Sequence, residues 1–140
     1  MSYTYPEGGP AADLLVEATG ETLGEAFANL TLGMFNVMTP IGDIAEEEEF
    51  VVEAQGDDLD SLLFNFMDEF LYLNDVEFLV PRRMEVSVDE KHFHAEALCV
   101  GERFSRDTHE TGIAVKAVTY HMMEIKREDG GYRVRMVFDT

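Results

Sequence analysis

Residues 115–125 read Val-Lys-Ala-Val-Thr-Tyr-His-Met-Met-Glu-Ile. At a period of two, both sets of alternate positions are largely apolar, a pattern typical of a strand that is covered on both faces. The stretch therefore predicts an interior strand and not an edge strand. Lys116 lies near its start, in a chain that has three lysines, and so apolar a strand has little structural need of a cation there. We therefore treat Lys116 as a candidate functional residue.

A turn and a returning strand follow. Asp129-Gly130-Gly131 is a turn signal, and beyond it apolar and charged residues alternate up to Asp139. The last strand thus brings the side chain of Asp139 and the terminal carboxylate of Thr140 to one end of a sheet. If the two glycines form a two-residue loop, Asp139 lies opposite Met122 and about 20 Å from Lys116. A bulge, a different loop or a bend is then needed to bring the two together.

Two helices are predicted earlier in the chain. Thr22-Leu-Gly-Glu25 is a capping box, and an apolar stripe at spacings of three and four follows it until Thr39-Pro40. Gly56-Asp57-Asp58 opens a second helix, because carboxylates are favourable at a helix N-terminus, and its apolar stripe extends to Leu73.

The remaining patterns are those of strands. Residues 12–18 predict a half-buried strand with Asp13 at its entrance, and Phe50, Val52 and Ala54 predict a short strand between the helices. From Val76 onward the chain predicts about five strands in succession. Segregation of this kind indicates an α+β domain in which two helices pack on a mostly antiparallel sheet.

Length and composition fit one domain. A chain of 140 residues, 46% of them apolar, is sufficient for a single core, which we place at residues 11–140 after a flexible lead-in at 1–10. No run approaches the roughly 18 apolar residues of a membrane span, and the start has no basic and apolar leader. We therefore expect a complete cytoplasmic protein that does not bind membranes.

Most catalytic signatures are missing from the sequence. It has no glycine-rich phosphate loop, no paired cysteines and no basic-aromatic stripe for nucleic acid, and Cys99 is predicted to be a buried, inert thiol. Two strand-end carboxylates remain, those of Asp13 and Asp139, with the terminal carboxylate of Thr140 beside the latter. Hard oxygen ligands of this kind suit Ca²⁺, Mg²⁺ or Mn²⁺.

Four stretches together resemble the archease family. They are residues 12–27, with Thr19-Gly20-Glu21-Thr22-Leu23-Gly24-Glu25; residues 56–72, with Gly56-Asp57-Asp58-Leu59; the segment Val115–His121; and the terminal Phe138-Asp139-Thr140. They occur in the family's order and span nearly the whole chain. The resemblance implies the same α+β fold.

The resemblance also implies a function. Archeases assist the RtcB-type tRNA-splicing RNA ligase: they promote guanylylation of its active-site histidine from GTP and allow multiple turnover. The chain is therefore expected to be a non-catalytic activator of that ligase. The alternative is an acidic, chaperone-like module that protects RNA-modifying enzymes, such as a tRNA methyltransferase, from aggregation.

Particular residues are implied as well. The family's metal-binding aspartates fall on Asp13 and Asp139, its terminal residue on Thr140, and the lysine of its Val-Lys-Ala motif on Lys116. The implied cofactor is a divalent cation, Ca²⁺ by resemblance, with Mg²⁺ or Mn²⁺ as alternatives. The opening Pro10-Ala11-Ala12-Asp13 lacks the His and Thr that usually precede this aspartate.

The charge of the chain supports two hypotheses. It has 29 acidic and 10 basic residues, a net charge of −19. An acidic surface repels nucleic acid and attracts cations or a basic protein. A salt-rich cytoplasm selects the same composition, because screening removes the self-repulsion that opposes folding.

Salt dependence of folding separates these hypotheses. If the acidity is an adaptation to salt, the protein unfolds at low ionic strength and refolds in molar KCl, because screening then stabilises the compact state. Far-UV circular dichroism over a KCl titration measures this. Stability that is indifferent to salt contradicts the salt-adaptation hypothesis.

Overall fold

The structure, a computed structural model, describes residues 2–9 and 13–140, in which the chain forms two α-helices and eight strands. In chain order these are β1 (Tyr3–Thr4), β2 (Leu14–Gly20), α1 (Leu23–Met38), a 3-10 helix (Ile41–Asp43), β3 (Glu48–Gln55), α2 (Leu59–Glu77), β4 (Leu79–Asp89), β5 (His94–Arg103), β6 (Ala117–Val118), β7 (Glu124–Glu128) and β8 (Gly131–Asp139). The α+β class and the five strands after the second helix are confirmed. Neither α-helix in this part of the chain has the length and apolar character needed to cross a membrane.

The start of the chain is partly described. Within the predicted lead-in, β1 pairs with β2 through Tyr3 and Ala18. Residues 1 and 10–12 lie outside the described part. The predicted start of the first strand at Ala12 and the opening Pro10-Ala11-Ala12 therefore also lie outside it. As described, β2 begins at Leu14.

The strands divide into two antiparallel sheets. One has the order β1-β2-β8-β6, with β7 also paired to β8, and the other has the order β3-β5-β4. Helix α1 contacts β2, β4 and β8, whereas α2 contacts β3, β5 and β6. The largest buried side chains come from both helices and from β8: Phe27, Phe35, Phe66, Phe70 and Phe138. The helices and sheets therefore share one core.

Helix boundaries follow the predicted caps. Thr22 accepts a hydrogen bond from the Glu25 N–H at 3.0 Å, and α1 ends at Met38, with Thr39 as its C-cap. Asp58 caps α2, and donation from the backbone N–H of Ser61 holds the pKa of this carboxyl below its usual range.

One boundary was predicted too early. The strand expected from Val76 begins at Leu79, because α2 continues to Glu77. Phe78 then ends the helix in the left-handed conformation, with φ of 62°, and donates its N–H to the Asn74 carbonyl. Apolar residues at the end of a helix and at the start of a strand form one run, so their pattern does not mark the boundary.

The strand predicted over residues 115–125 was wrong. The chain forms the short strands β6 and β7 there, and both lie at the edge of their sheet and pair with β8 alone. From Arg135 to Asp139 β8 advances four residues, while the opposite segment spans seven, from Ala117 to Glu124. Three residues are therefore looped out. Tyr120, expected to be covered, is 54% exposed.

These three extra residues belong to the unpaired stretch 119–123, which lies opposite Met136 and Val137 and which we call the looped-out segment. Side chains stabilise it. The Thr119 hydroxyl donates to the Val137 carbonyl at 2.7 Å, and it accepts from the His121 N–H at 3.2 Å. Arg135 Nε donates to the Met122 carbonyl at 3.0 Å, where the backbone has a φ of 57°. A hydroxyl and a guanidinium thus replace ladder hydrogen bonds that a regular strand makes with backbone groups.

Thr119→Val tests whether these contacts fix the position of Lys116. The variant keeps the side-chain shape but loses the hydrogen bond to Val137. A hydrogen bond contributes about 1 kcal/mol, so we expect the Lys116 amide, which donates to Asp139 O at 2.8 Å, to exchange with deuterium about fivefold faster.

NMR-detected hydrogen exchange measures this rate. Thr108→Val in the exposed loop is the matched control and should leave the rate unchanged. Equal Lys116 exchange in the wild type and in Thr119→Val contradicts the assignment.

Candidate functional site

The two candidate aspartates lie at the same end of the larger sheet. Leu14 in β2 pairs with Phe138 in β8. Asp13 directly precedes Leu14 and Asp139 directly follows Phe138, so both aspartates lie at the same end of the sheet, next to this pair. Neighbouring strands are about 4.8 Å apart. The sequence separates these residues by nearly the whole chain, and strand pairing brings them together.

Lys116 lies on the other side of Asp139. Ala117 in β6 pairs with Asp139, and the Lys116 N–H donates to the Asp139 carbonyl at 2.8 Å. The expected distance of about 20 Å between them was wrong. It assumed Gly130-Gly131 as the turn and a regular ladder beyond it, whereas the loop is Asp129-Gly130 and the looped-out segment shortens the path.

Side-chain alternation assigns these residues to two faces of the sheet. Phe138 is fully buried and Val118, which pairs with it, is 7% exposed, so this pair faces the core. Asp139 is one residue further along its strand and therefore faces away from the core. Asp13, Lys116 and Thr140 lie just outside β2, β6 and β8, at the same end of the sheet as Asp139. Both Asp139 and Lys116 are exposed.

The donor set fits a hard divalent cation. Within residues 2–9 and 13–140, no three His, Cys, Asp or Glu side chains are arranged to hold a metal ion. A site here therefore needs the terminal carboxylate of Thr140 as the third acidic group beside Asp13 and Asp139. Carboxylate oxygens are the ligands that Ca²⁺, Mg²⁺ and Mn²⁺ prefer.

Tyr120, in the looped-out segment, forms an aromatic pair with α2 that the sequence did not predict. The Tyr120 ring stacks on Phe64 of α2, with ring centroids 4.3 Å apart and planes 8° from parallel. Period-two alternation assigned Tyr120 to a covered face, and no local signal in the sequence marks the three extra residues. The stack joins α2 to the segment that follows Lys116.

The lone cysteine takes no part in this site. Cys99 is 2% exposed in β5, and burial raises the pKa of its thiol to about 12. The thiol therefore remains protonated near neutral pH. The predicted buried thiol is confirmed.

Comparisons with known proteins agree with one another. The archease protein family (MTH1598/TM1083) matches residues 3–140. The chain is 38% identical to the archease-like protein of Drosophila melanogaster, over 99% of this chain and 90% of that protein. It is 40% identical to the archease of Methanothermobacter thermautotrophicus, over 91% of this chain and 92% of that protein.

Solved structures show the same fold. The solution structure of Methanobacterium thermoautotrophicum protein 1598 superposes with a TM-score of 0.82 at 37% identity, covering 99% of this chain and 97% of the other. An archease from Thermotoga maritima, described as a possible chaperone, has the same fold at a TM-score of 0.63 and 18% identity, over 98% of each chain. On the family match and on these relatives, the chain belongs to the archease family.

Proposed function

We propose that this archease is a protein cofactor of an RtcB-type tRNA-splicing RNA ligase, and that it promotes guanylylation and turnover of the ligase without performing chemistry itself. The observation that carries the proposal is the convergence of Asp13, Asp139 and Lys116 at one sheet end. The metal and lysine positions implied by the family resemblance thus come from three distant segments and meet at one place.

The carboxylates of Asp13, Asp139 and Thr140 would hold one divalent cation, Ca²⁺ by family resemblance. When bound, the cation supplies positive charge that a triphosphate or a ligase carboxylate can approach. Asp139 would orient that charge outward, because it follows the buried Phe138 in β8 and faces the opposite side of the sheet. Without a cation, a chain with a net charge of −19 repels a nucleotide.

Lys116 has a separate role in this proposal. Its backbone is fixed by donation to the Asp139 carbonyl, and its side chain is exposed. The ammonium group is thus available to a phosphate of the nucleotide or to a carboxylate of the ligase. Because an ammonium group has no lone pair to offer a metal, Lys116 would contact the partner and not the bound cation.

Asp139→Asn tests the metal site. The change removes one negative ligand and keeps the side-chain shape, so we expect stimulation of ligase guanylylation to fall at least tenfold and Ca²⁺ affinity to fall with it. Single-turnover guanylylation with GTP and calorimetric Ca²⁺ titration measure the two effects. Asp13→Asn should behave in the same way.

Asp129→Asn is the matched control. It removes the same charge at the opposite end of β8, in a turn where Asn-Gly is as favourable as Asp-Gly. This variant should stimulate the ligase fully. Full stimulation by Asp139→Asn would refute the proposed role of the site.

Lys116→Met tests the partner contact. The substitution keeps an unbranched side chain of similar length and removes the charge, so we expect stimulation to fall while Ca²⁺ affinity is retained. Lys126→Met in β7 removes the same charge from an exposed strand position and is the control. A loss of Ca²⁺ affinity in Lys116→Met equal to its loss of stimulation contradicts the division of roles.

A chaperone-like role for the acidic surface is the second candidate, and the net charge of −19 favours it. In that role the protein would shield basic RNA-modifying enzymes, such as a tRNA methyltransferase, from aggregation. Light scattering of such an enzyme during heating measures this protection. Asp139→Asn and Asp129→Asn would then behave alike, because both remove one charge, whereas the ligase proposal requires them to differ.

A further inference from the structure

Strand β3 forms an open edge of the smaller sheet. It pairs with β5 on one side only, through eight residues in unbroken register, and it contains no proline. The other edge of this sheet is obstructed. There β4 contains Pro81 with a register shift beside it, and a Cβ at Gly24 of α1 would lie 2.0 Å from the Val86 oxygen. Proline, bulges and covering elements are the usual means of blocking an edge strand, so β3 is the edge onto which another strand can pair.

The backbone groups of alternate residues in β3 point to this open edge. The Gly56 N–H donates to the Phe93 carbonyl at 2.9 Å, in register with the ladder between β3 and β5. Hydrogen-bonded pairs alternate in an antiparallel ladder, so the groups of Glu49, Val51 and Glu53 face away from β5. They make no hydrogen bond to any residue that the structure describes. A row of donors and acceptors with the spacing of a strand is therefore available there.

Helix α2 lies beside this edge and forms a groove with it. At one end of β3, the Asn65 amide of α2 donates to the Gln55 carbonyl at 2.8 Å. At the other end, Arg103 contacts Glu48 of β3 at 3.1 Å and Glu77 of α2 at 3.8 Å. The helix therefore runs antiparallel to the strand. Between them lies a hollow of about 250 Å³, lined by Glu53, Ala54, Gln55, Asn65, Asp68 and Glu69.

Apolar side chains are exposed beside the groove. Tyr72 and Val76 lie seven and eleven residues after Asn65 and therefore on the same face of α2. They are 59% and 55% exposed. On β3, Val51 alternates with the buried Val52, so its side chain lies on the outer face of the sheet, where it is 56% exposed. A strand added at this edge would cover apolar surface on both of its faces.

Charge decides which kind of strand fits. Glu49 and Glu53 flank Val51 on the outer face, Asp68 and Glu69 line the hollow on the side of α2, and no residue of its lining is basic. Like charges directly opposite each other destabilise a strand pair, and opposite charges stabilise it. A second copy of β3 paired antiparallel about Val51 would set Glu49 opposite Glu53 twice, between chains that each have a net charge of −19. The acidic side chains thus oppose self-pairing and favour a basic strand.

We propose that an extended segment of a partner protein adds to β3 as an antiparallel strand, with lysine or arginine opposite Glu49 and Glu53 and an apolar residue opposite Val51. Its main chain bonds to the free backbone groups of β3, and its other face packs on α2. In strand addition, main-chain hydrogen bonds provide affinity and alternate side chains provide specificity. The inference is independent of the ligase proposal, because it uses no residue of the aspartate site.

The first test measures the charge preference with the peptide acetyl-Lys-Leu-Val-Leu-Lys-amide. The peptide should shift the NMR signals of residues 49–53 in the full-length protein, at the lowest KCl concentration at which the chain is folded. The double variant Glu49→Gln with Glu53→Gln should weaken binding about fivefold, because each lysine then loses an opposite charge. Glu21→Gln with Glu90→Gln removes the same charge at exposed positions outside the groove and should bind like the wild type. Equal losses in the two double variants overturn the proposal.

The second test asks whether the peptide binds as a strand. In the proposed register the N–H of the peptide valine bonds to Val51, whereas the N–H groups of its leucines point away from β3. A methyl group on the valine nitrogen removes one ladder hydrogen bond and should weaken binding at least fivefold. A methyl group on a leucine nitrogen is the matched control and should have a smaller effect. Binding that is insensitive to methylation of the valine, or equally sensitive at both positions, overturns strand addition.

The third test asks whether a second copy of the chain is the occupant. Sedimentation equilibrium of the free protein, at the same KCl concentration, should show a monomer, because the glutamates of β3 repel their own copies. A dimer that the peptide dissociates identifies the second copy as the occupant and overturns the assignment to a basic partner.

Discussion

The hydrogen-bond ladder of β8 is the constraint on which the rest of the structure depends. This strand pairs with β2 along one edge and with β6 and β7 along the other. Its core-facing residues, such as Phe138 and Met136, are fully buried under the helices. Because Phe138 is buried, β8 cannot shift its pairing by one residue: such a shift would turn Asp139 into the core. Core packing therefore decides which way the terminal acidic residues face.

The looped-out segment changes the pairing along the other edge of this strand. A regular hairpin from the Asp129-Gly130 turn would pair Asp139 with Tyr120 and leave Lys116 beyond the end of the sheet. Looping out three residues moves Ala117 opposite Asp139, and Thr119 and Arg135 satisfy the interrupted ladder. Extra residues in a strand commonly change where its side chains point. Here they change which residues lie opposite the end of β8. The position of Lys116 therefore results from the three looped-out residues and not from regular strand pairing.

The proposed function depends on the sheet end that carries Asp13, Asp139 and Lys116. The proposal places a cation and a cationic side chain there, on a chain with a net charge of −19. Electrostatic attraction acts over long distances and steers association, so these charges would influence the approach of a charged partner before contact.

Local chemistry in the sequence determined the α+β class, both helix starts, the buried stripes and the burial of Cys99. Caps, helical periodicity and alternation depend on residues within one or two turns of each other, so they can be recognised in the sequence. The candidate residues Asp13, Asp139 and Lys116 were also identified there, through motif resemblance. Tertiary structure alone decided that residues 115–125 divide into two edge strands, that α2 continues to Glu77, and that Lys116 lies beside Asp139. The two edge strands and the position of Lys116 depend on a pairing partner distant in the chain, β8 with its Val137 carbonyl, which a local pattern does not contain. The end of α2 was not predicted because a single apolar run continues from the helix into β4.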